Sequence, residues 1–241
     1  MTPGRPLPLA ARATAASAFL AAAAVLNVVR VWAISNEAAI LRAVRDGRSF
    51  SLSDAQASDD RLAALAGWYL VVLAGTGIAW CVWQHRAHAN LRAFGRSGLA
   101  FTPGWAVGWW FVPVAWLWKP FQAVRELWKA SDPSTESLGW RSVRTWAPIG
   151  WWWMCWIASG VISGAGTAQR GSDIDATITG DTLVMAALAL QVVAAVLAIA
   201  IIRQVMARQA ALAQTSAGTP ALPPRVPPPP PPMPPMPAPL D

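Results

Sequence analysis

The sequence predicts an all-α integral membrane protein with four transmembrane helices, and three observations carry that prediction. Hydrophobic residues make up 55% of the 241-residue chain and charged residues 13%, whereas soluble domains carry about a quarter charged residues. The apolar residues gather into runs of roughly twenty, the length that crosses a bilayer core. The bases are also unevenly shared between the loops. Residues 84–146 hold Arg86, Arg92, Arg96, Lys119, Arg125, Lys129, Arg141 and Arg144 against Glu126, Asp132 and Glu136, while 35–61 and 165–181 are balanced or acidic. Short loops rich in Lys and Arg stay in the cytoplasm. Both termini are therefore expected there. The net charge of +7 lies beside apolar runs rather than in a soluble basic domain. That points to anionic headgroups and away from nucleic acid.

Residues 1–11 are proline-rich and expected to be disordered, ahead of a four-span domain over 12–210. The first span covers about 13–34. Arg5 and Arg12 before it mimic a signal peptide, but its apolar run is long and Arg30 precedes the only plausible cut, so a retained helix is expected. Ala21 to Ala24 smooth part of its surface for a neighbouring helix. Asn27 and Arg30 lie in its second half. Residues 35–61 are polar, with a short helix at Glu37–Val44. The second span, about 62–83, ends on Trp80 and Trp83, rings that favour the interface. The helix then continues through 84–96. His85 and His88 share a face there, but a third ligand or carboxylate partner is missing, so they read as an exposed polar face beside headgroups.

The stretch 102–118 organises the rest. Its candidate functional residues are Pro103, Gly104, Trp105, Gly108, Trp109, Trp110, Pro113 and Trp118, with Pro120 following. The apolar part is short for a span, and Pro113 removes a backbone donor in its middle. Basic residues flank both sides, which keeps both ends in one compartment. The expectation is a re-entrant or interfacial hairpin turning near Val112–Pro113. An amphipathic helix over 120–131 follows, apolar at Phe121, Val124, Leu127 and Trp128, and polar at Gln122, Arg125, Glu126 and Lys129. It lies flat on the membrane or packs on the end of the bundle. Glu126 reads as a surface charge paired with Arg125 and Lys129. Arg86, Arg92, Arg96, Lys119, Arg125 and Lys129 are candidate contacts to anionic lipid.

A polar connector over 131–146 leads to the third span, about 147–163, opening with Trp151, Trp152 and Trp153. Gly160 and Gly164 form a GxxxG contact motif. The fourth span, about 182–202, carries Gln191 at its centre, where it would bond Asn27 or Thr76. Asn27 and Gln191 are the candidate intramembrane polar pair. The tail over 211–241 is proline-rich and expected to be disordered. Arg225, Pro227, Pro228 and Pro231 have the spacing of ligands for aromatic-grooved domains, so a cytoplasmic protein partner is a candidate for it.

Trp83 with Arg86, Asn90 and Leu91, then Pro103 through Pro113, Leu117 to Pro120, and Glu126 to Ser131 form a signature. It resembles that of the bacterial membrane family called domain of unknown function four-three-two-eight, over roughly 60–205. The resemblance implies a multi-pass inner-membrane protein. It implies no reaction, cofactor or ligand.

Function classes narrow accordingly. Cys81 and Cys155 fall inside apolar runs without a CxxC, so neither a disulfide framework nor a zinc site is signalled. Glycine loops for phosphate are missing, as are paired carboxylates and Ser/His or Cys/His arrangements. The expectation is a non-enzymatic scaffold or regulatory protein without a cofactor, working through its cytoplasmic face and tail. The alternative is a small transporter or channel, which four spans could form only as a homo-oligomer.

Overall fold

Three proline-free apolar runs grow into helices far longer than their hydrophobic parts. A computed structural model describes residues 6–49, 51–171 and 173–218. Helices α1 (Ala10–Arg45), α2 (Leu52–Ala93) and α6 (Ile174–Gly218) hold 36, 42 and 45 residues. At 1.5 Å per residue these span about 54, 63 and 68 Å, twice a bilayer core of about 30 Å. All three are long and apolar enough to cross a membrane. Helix α5 (Ala147–Gln169) has 23 residues, Pro148 in its first turn and a tryptophan- and glycine-rich sequence. It falls outside that group because indoles and glycines contribute little hydropathy. Between α2 and α5 lie two shorter helices, α3 (Pro103–Gly108) and α4 (Lys119–Ala130). Among the described residues there is no strand.

Short connections make α1 and α2 antiparallel neighbours, and likewise α5 and α6. Helix α6 packs on both α1 and α5 and forms the centre of the bundle. The residues between α2 and α5 fold back as a cap over one end. The main core lies where cap and bundle meet, around Trp83, Leu91, Leu127, Ile149, Ile201 and Val205. By contrast, α2 turns Trp68, Leu70, Val71, Ile78 and Val82 outward. Apolar surface on that scale needs a cover other than water.

Several expectations are corrected. The polar stretch 35–61 is mostly helix, because hydrogen bonding along α1 and α2 continues past their apolar parts. Residues 6–9 are not free: the Leu7 amide donates to Asn90 Oδ1 at 2.9 Å, and Leu9 is buried. Helix α6 runs on to Gly218, so the first residues assigned to the tail are helical; the proline run itself lies outside the described residues. The Gly160–Gly164 pair is not the helix contact, since both face open space. The close approach comes at Gly166 and Gly180, where a Cβ on Gly166 would sit 2.7 Å from the Gly180 carbonyl.

The end opposite the cap is held by charge. Arg170 pairs with the buried Asp181 and lies 3.7 Å from Glu37, and Arg45 meets Asp175 at 3.2 Å. Burial pushes both the Glu37 and Asp181 carboxyls above their ordinary values.

Candidate functional site

The cap is built by local rules. Thr102 caps α3, its hydroxyl accepting from the Trp105 amide at 3.1 Å, and Pro103 occupies the first turn, where its missing N–H is not needed. Two 3₁₀ turns follow, Trp109–Phe111 and Ala115–Leu117. The chain reverses between them, with the Ala115 amide bonded to the Pro113 carbonyl at 2.7 Å across Val114. Val114 has φ +64 and ψ −49, a γ-turn of the rarer kind. A β-branched residue held there carries strain of order 1–3 kcal/mol. Pro120 sits buried in the first turn of α4.

A tryptophan cluster fills the space between α2 and α5. Trp80 stacks on Trp152 with centroids 5.4 Å apart, and Trp110 meets Trp153 and Trp156 edge-on at 5.9 and 5.5 Å. Gln84 serves it as a hub. Its Oε1 accepts from Trp80 Nε1 at 2.8 Å and Trp110 Nε1 at 3.0 Å, while Nε2 donates to the Ala106 carbonyl at 3.1 Å. Trp153 Nε1 reaches the Leu117 carbonyl at 3.1 Å. Beside the cluster an apolar cleft of about 270 Å³ opens between Leu73, Cys81, Phe111 and Trp156.

A second polar network bolts the cap to the bundle. Gln209 on α6 donates to the Ala87 carbonyl at 3.0 Å and the Ser131 hydroxyl at 3.2 Å, and accepts from Asn90 at 3.3 Å. Arg208 pairs with Asp132 at 3.0 Å, and its guanidinium carbon lies 3.6 Å from the Trp128 ring centroid. Burial pushes the Asp132 carboxyl up, but Ser134 and Arg208 outweigh it and leave the group below the ordinary carboxylate range. Buried polar groups need such partners, since each one left unmet is costly.

Three sequence readings are overturned here. Arg96, a candidate lipid contact, is only 6% exposed. It donates to the carbonyls of Asp132 at 2.5 Å, Thr135 at 2.5 Å and Glu136 at 2.8 Å, clamping the loop after α4. His88, read as an exposed group, is fully enclosed. Its Nδ1 lies 3.0 Å from the Gln84 carbonyl, so that nitrogen carries the proton, and burial lowers its pKa to about 4. Glu126 is not a surface charge. Its carboxylate turns inward and accepts from the amides of Ala100 at 2.7 Å and Phe101 at 3.1 Å. Burial pushes its carboxyl above the ordinary range against those bonds. Arg96 and Glu126 were misread because their partners, the 132–136 loop for one and Ala100 and Phe101 for the other, are remote along the chain.

The other candidates divide between surface and interior. Arg92 and Arg125 are exposed; Arg86, Lys119 and Lys129 are half-buried. Trp105 and Trp118 are exposed, as are Gly104 and Pro113, while Gly108 lies under the Trp105 ring and Trp109 is half-buried beside it. Along the bundle, Asn27 Nδ2 donates to Gln191 Oε1 at 3.1 Å, joining α1 to α6.

Outside the cap's α3–α4 face, a recess of about 450 Å³ opens over the Glu126 carboxylate. Lys119, Gln122, Arg125 and Lys129 border it on α4, with Trp109, Trp140 and Arg141 opposite.

The signature residues thus serve one assembly: Trp83 and Leu91 in the core, Asn90 and Ser131 in the polar network, and Pro103 to Pro113 in the folded-back hairpin. A family model described as "Domain of unknown function (DUF4328)" matches residues 46–207, which includes α2 to α5 and most of α6. The chain belongs to the DUF4328 family. No curated protein and no solved structure matches it. In this DUF4328 protein the matched region begins directly after α1.

Proposed function

We propose that this protein is a four-span bacterial inner-membrane scaffold or regulatory subunit, with α5 as its third span beside α1, α2 and α6, and both termini and the cap in the cytoplasm. The observation that carries the reading is the cap itself. Its buried groups, Gln84, Asn90, Arg96, Glu126 and Gln209, are bonded into structure. What it presents outward is cationic and aromatic surface, which suits binding. Arg86, Arg92, Arg96, Lys119, Arg125, Lys129, Arg141 and Arg144 lie at the cap end, with Arg203 and Arg208 following, against Arg42, Arg45, Arg48, Arg61 and Arg170 at the other, the bias expected of a cytoplasmic cap. The hairpin over 102–118 is read as lying at the membrane interface, with Trp105, Phe111, Trp116 and Trp118 exposed toward it. The reading is non-enzymatic, because the titratable groups His88, Glu126 and Asp132 all hold backbone or ion-pair partners.

The test is partner capture. Crosslinking in the native membrane should recover a discrete protein with the full chain, and recovery should fall for a version ending after Gly218, which keeps α6 whole. Recovery of self-crosslinked chains alone would refute the scaffold reading. The cleft between α2 and α5 favours a second reading, an oligomeric transporter. Solute flux in proteoliposomes above that of empty vesicles would support it.

A further inference from the structure

The recess over Glu126 is lined by four cations, Lys119, Arg125, Lys129 and Arg141, and one carboxylate. The carboxylate is already engaged by the Ala100 and Phe101 amides. Among the described residues none of the four cations makes an ion pair, whereas Arg45, Arg48, Arg170 and Arg208 all do. Neutral groups hold the four in place instead. Lys119 Nζ lies 5.3 Å from the Trp109 centroid, and the Arg125 guanidinium carbon 5.7 Å from that of Phe121. Lys129 Nζ donates to the Arg141 carbonyl at 2.7 Å. Arg141 donates to the Gly98 carbonyl at 2.6 Å and lies beside the Trp140 ring. A Cβ on Gly98 would sit 2.8 Å from the Arg141 guanidinium, so the glycine seats it.

Holding four like charges around a single carboxylate is unfavourable, and Lys129 registers this: burial and then the Arg125 charge both lower its pKa. An anion entering the recess relieves that repulsion. Two guanidiniums suit phosphate, whose oxygens accept the paired N–H groups of arginine. The volume is within the range of small-molecule sites, roughly 300–1,000 Å³, and exceeds what a bare phosphate needs. Beside Lys119, Leu117 and Trp118 are exposed, a pairing of apolar and cationic surface that suits a bilayer boundary.

We propose that this recess binds a phosphate-bearing anion, with an anionic phospholipid headgroup as the source that its apolar margin favours. The lipid source rests on the membrane placement proposed above; the phosphate chemistry does not.

The experiment is a titration of the purified full chain in neutral detergent, read as a shift in thermal unfolding. Dioctanoyl phosphatidylglycerol, dioctanoyl phosphatidylcholine and glycerol phosphate are the probes. The anionic phosphatidylglycerol should stabilise saturably, with apparent affinity at least tenfold above that of the choline lipid, and binding should weaken with salt. Lys119→Gln with Arg125→Gln should reduce that affinity tenfold or more, because neither side chain makes a hydrogen bond that folding would miss. Arg144→Gln with Arg203→Gln, exposed cations away from the recess, should leave it unchanged. Arg141→Gln is the independent second variant if the first lowers unliganded stability. Glycerol phosphate acting as strongly as the lipid would support the phosphate site and transfer it to a soluble ligand. Equal shifts from both lipids, or an unaltered affinity in the recess variants, would overturn the proposal. The readout needs neither a protein partner nor a membrane orientation. Its failure would therefore leave the scaffold reading standing, and an empty partner capture would leave the recess standing.

Discussion

Glu126→Ala should lower the stability of the protein in mild detergent by about 2–4 kcal/mol. The substitution leaves the half-buried Ala100 amide and the buried Phe101 amide without their acceptor; a buried N–H left unmet costs about 1–3 kcal/mol, and the lost charge-assisted bond to the more accessible one about 1–2 kcal/mol. Part of that loss is recovered, because burial of the carboxylate is itself unfavourable, as its raised pKa shows. At about 2–4 °C per kcal/mol for a chain of this size, the midpoint should fall by roughly 5–15 °C. Glu126→Gln keeps one acceptor oxygen and carries no charge, so its loss should be about 1–2 kcal/mol. The pH dependence has a definite sign. A carboxyl raised above its ordinary value favours the fold most while protonated, so its contribution declines as pH rises from about 4.5 through the higher folded value. The glutamine variant should lack that decline. Heating followed by size exclusion measures the midpoint, and proteolysis in the 97–102 loop reports local opening. A shift under 1 °C for the alanine variant would refute the reasoning and restore Glu126 as an ordinary surface charge.

Other perturbations probe the remaining contacts. His88 stays neutral in the fold, with a pKa lowered by burial to about 4. Its contribution should be complete above about pH 6.5 and lost as pH falls through 4, a term of roughly 3 kcal/mol that His88→Gln would remove from an acid-unfolding curve. Gly166→Val should destabilise by about 1–3 kcal/mol, because the Gly180 carbonyl cannot yield; Gly164→Val, facing open space, should change the midpoint by less than about 1 °C. Asn27→Ala and Gln191→Ala should show a coupling of about 0.5–1.5 kcal/mol in a double-mutant cycle, and strict additivity would argue against the bond. Val114→Gly should raise the midpoint by relieving the γ-turn strain; an unchanged or lower midpoint would argue against that strain.

How much of this was legible depended on the reach of each interaction. Helices declare themselves through their own residues, so the apolar cores of α1, α2 and α6 could be read from runs of Ala, Val, Leu and Ile. A turn was expected near Val112–Pro113 because proline acts on its own backbone; the chain reverses just beyond, across Val114. The cap's polar residues were not. Arg96 and Glu126 have ordinary surface neighbours in sequence, and what buries them is the return of 97–101 onto α4. Gln84 lies between Trp83 and His85 without a motif, and its hub role depends on Trp110, brought back by the hairpin. The recess was legible only in part. Lys119, Arg125 and Lys129 share α4, but Arg141 joins them through a loop clamped by Arg96.

The sequence by itself determined the helical class, the apolar cores of three helices and the charge asymmetry between loops, because composition and periodicity act locally along the chain; the family rested on the signature from Trp83 to Ser131. Tertiary structure alone decided which small residues meet, which charges are buried, and which four cations share a recess around one carboxylate. Those outcomes depend on burial and on close approach between residues far apart in the chain, 122 positions in the Gln209–Ala87 bond. Short-range patterns carry no record of such distances.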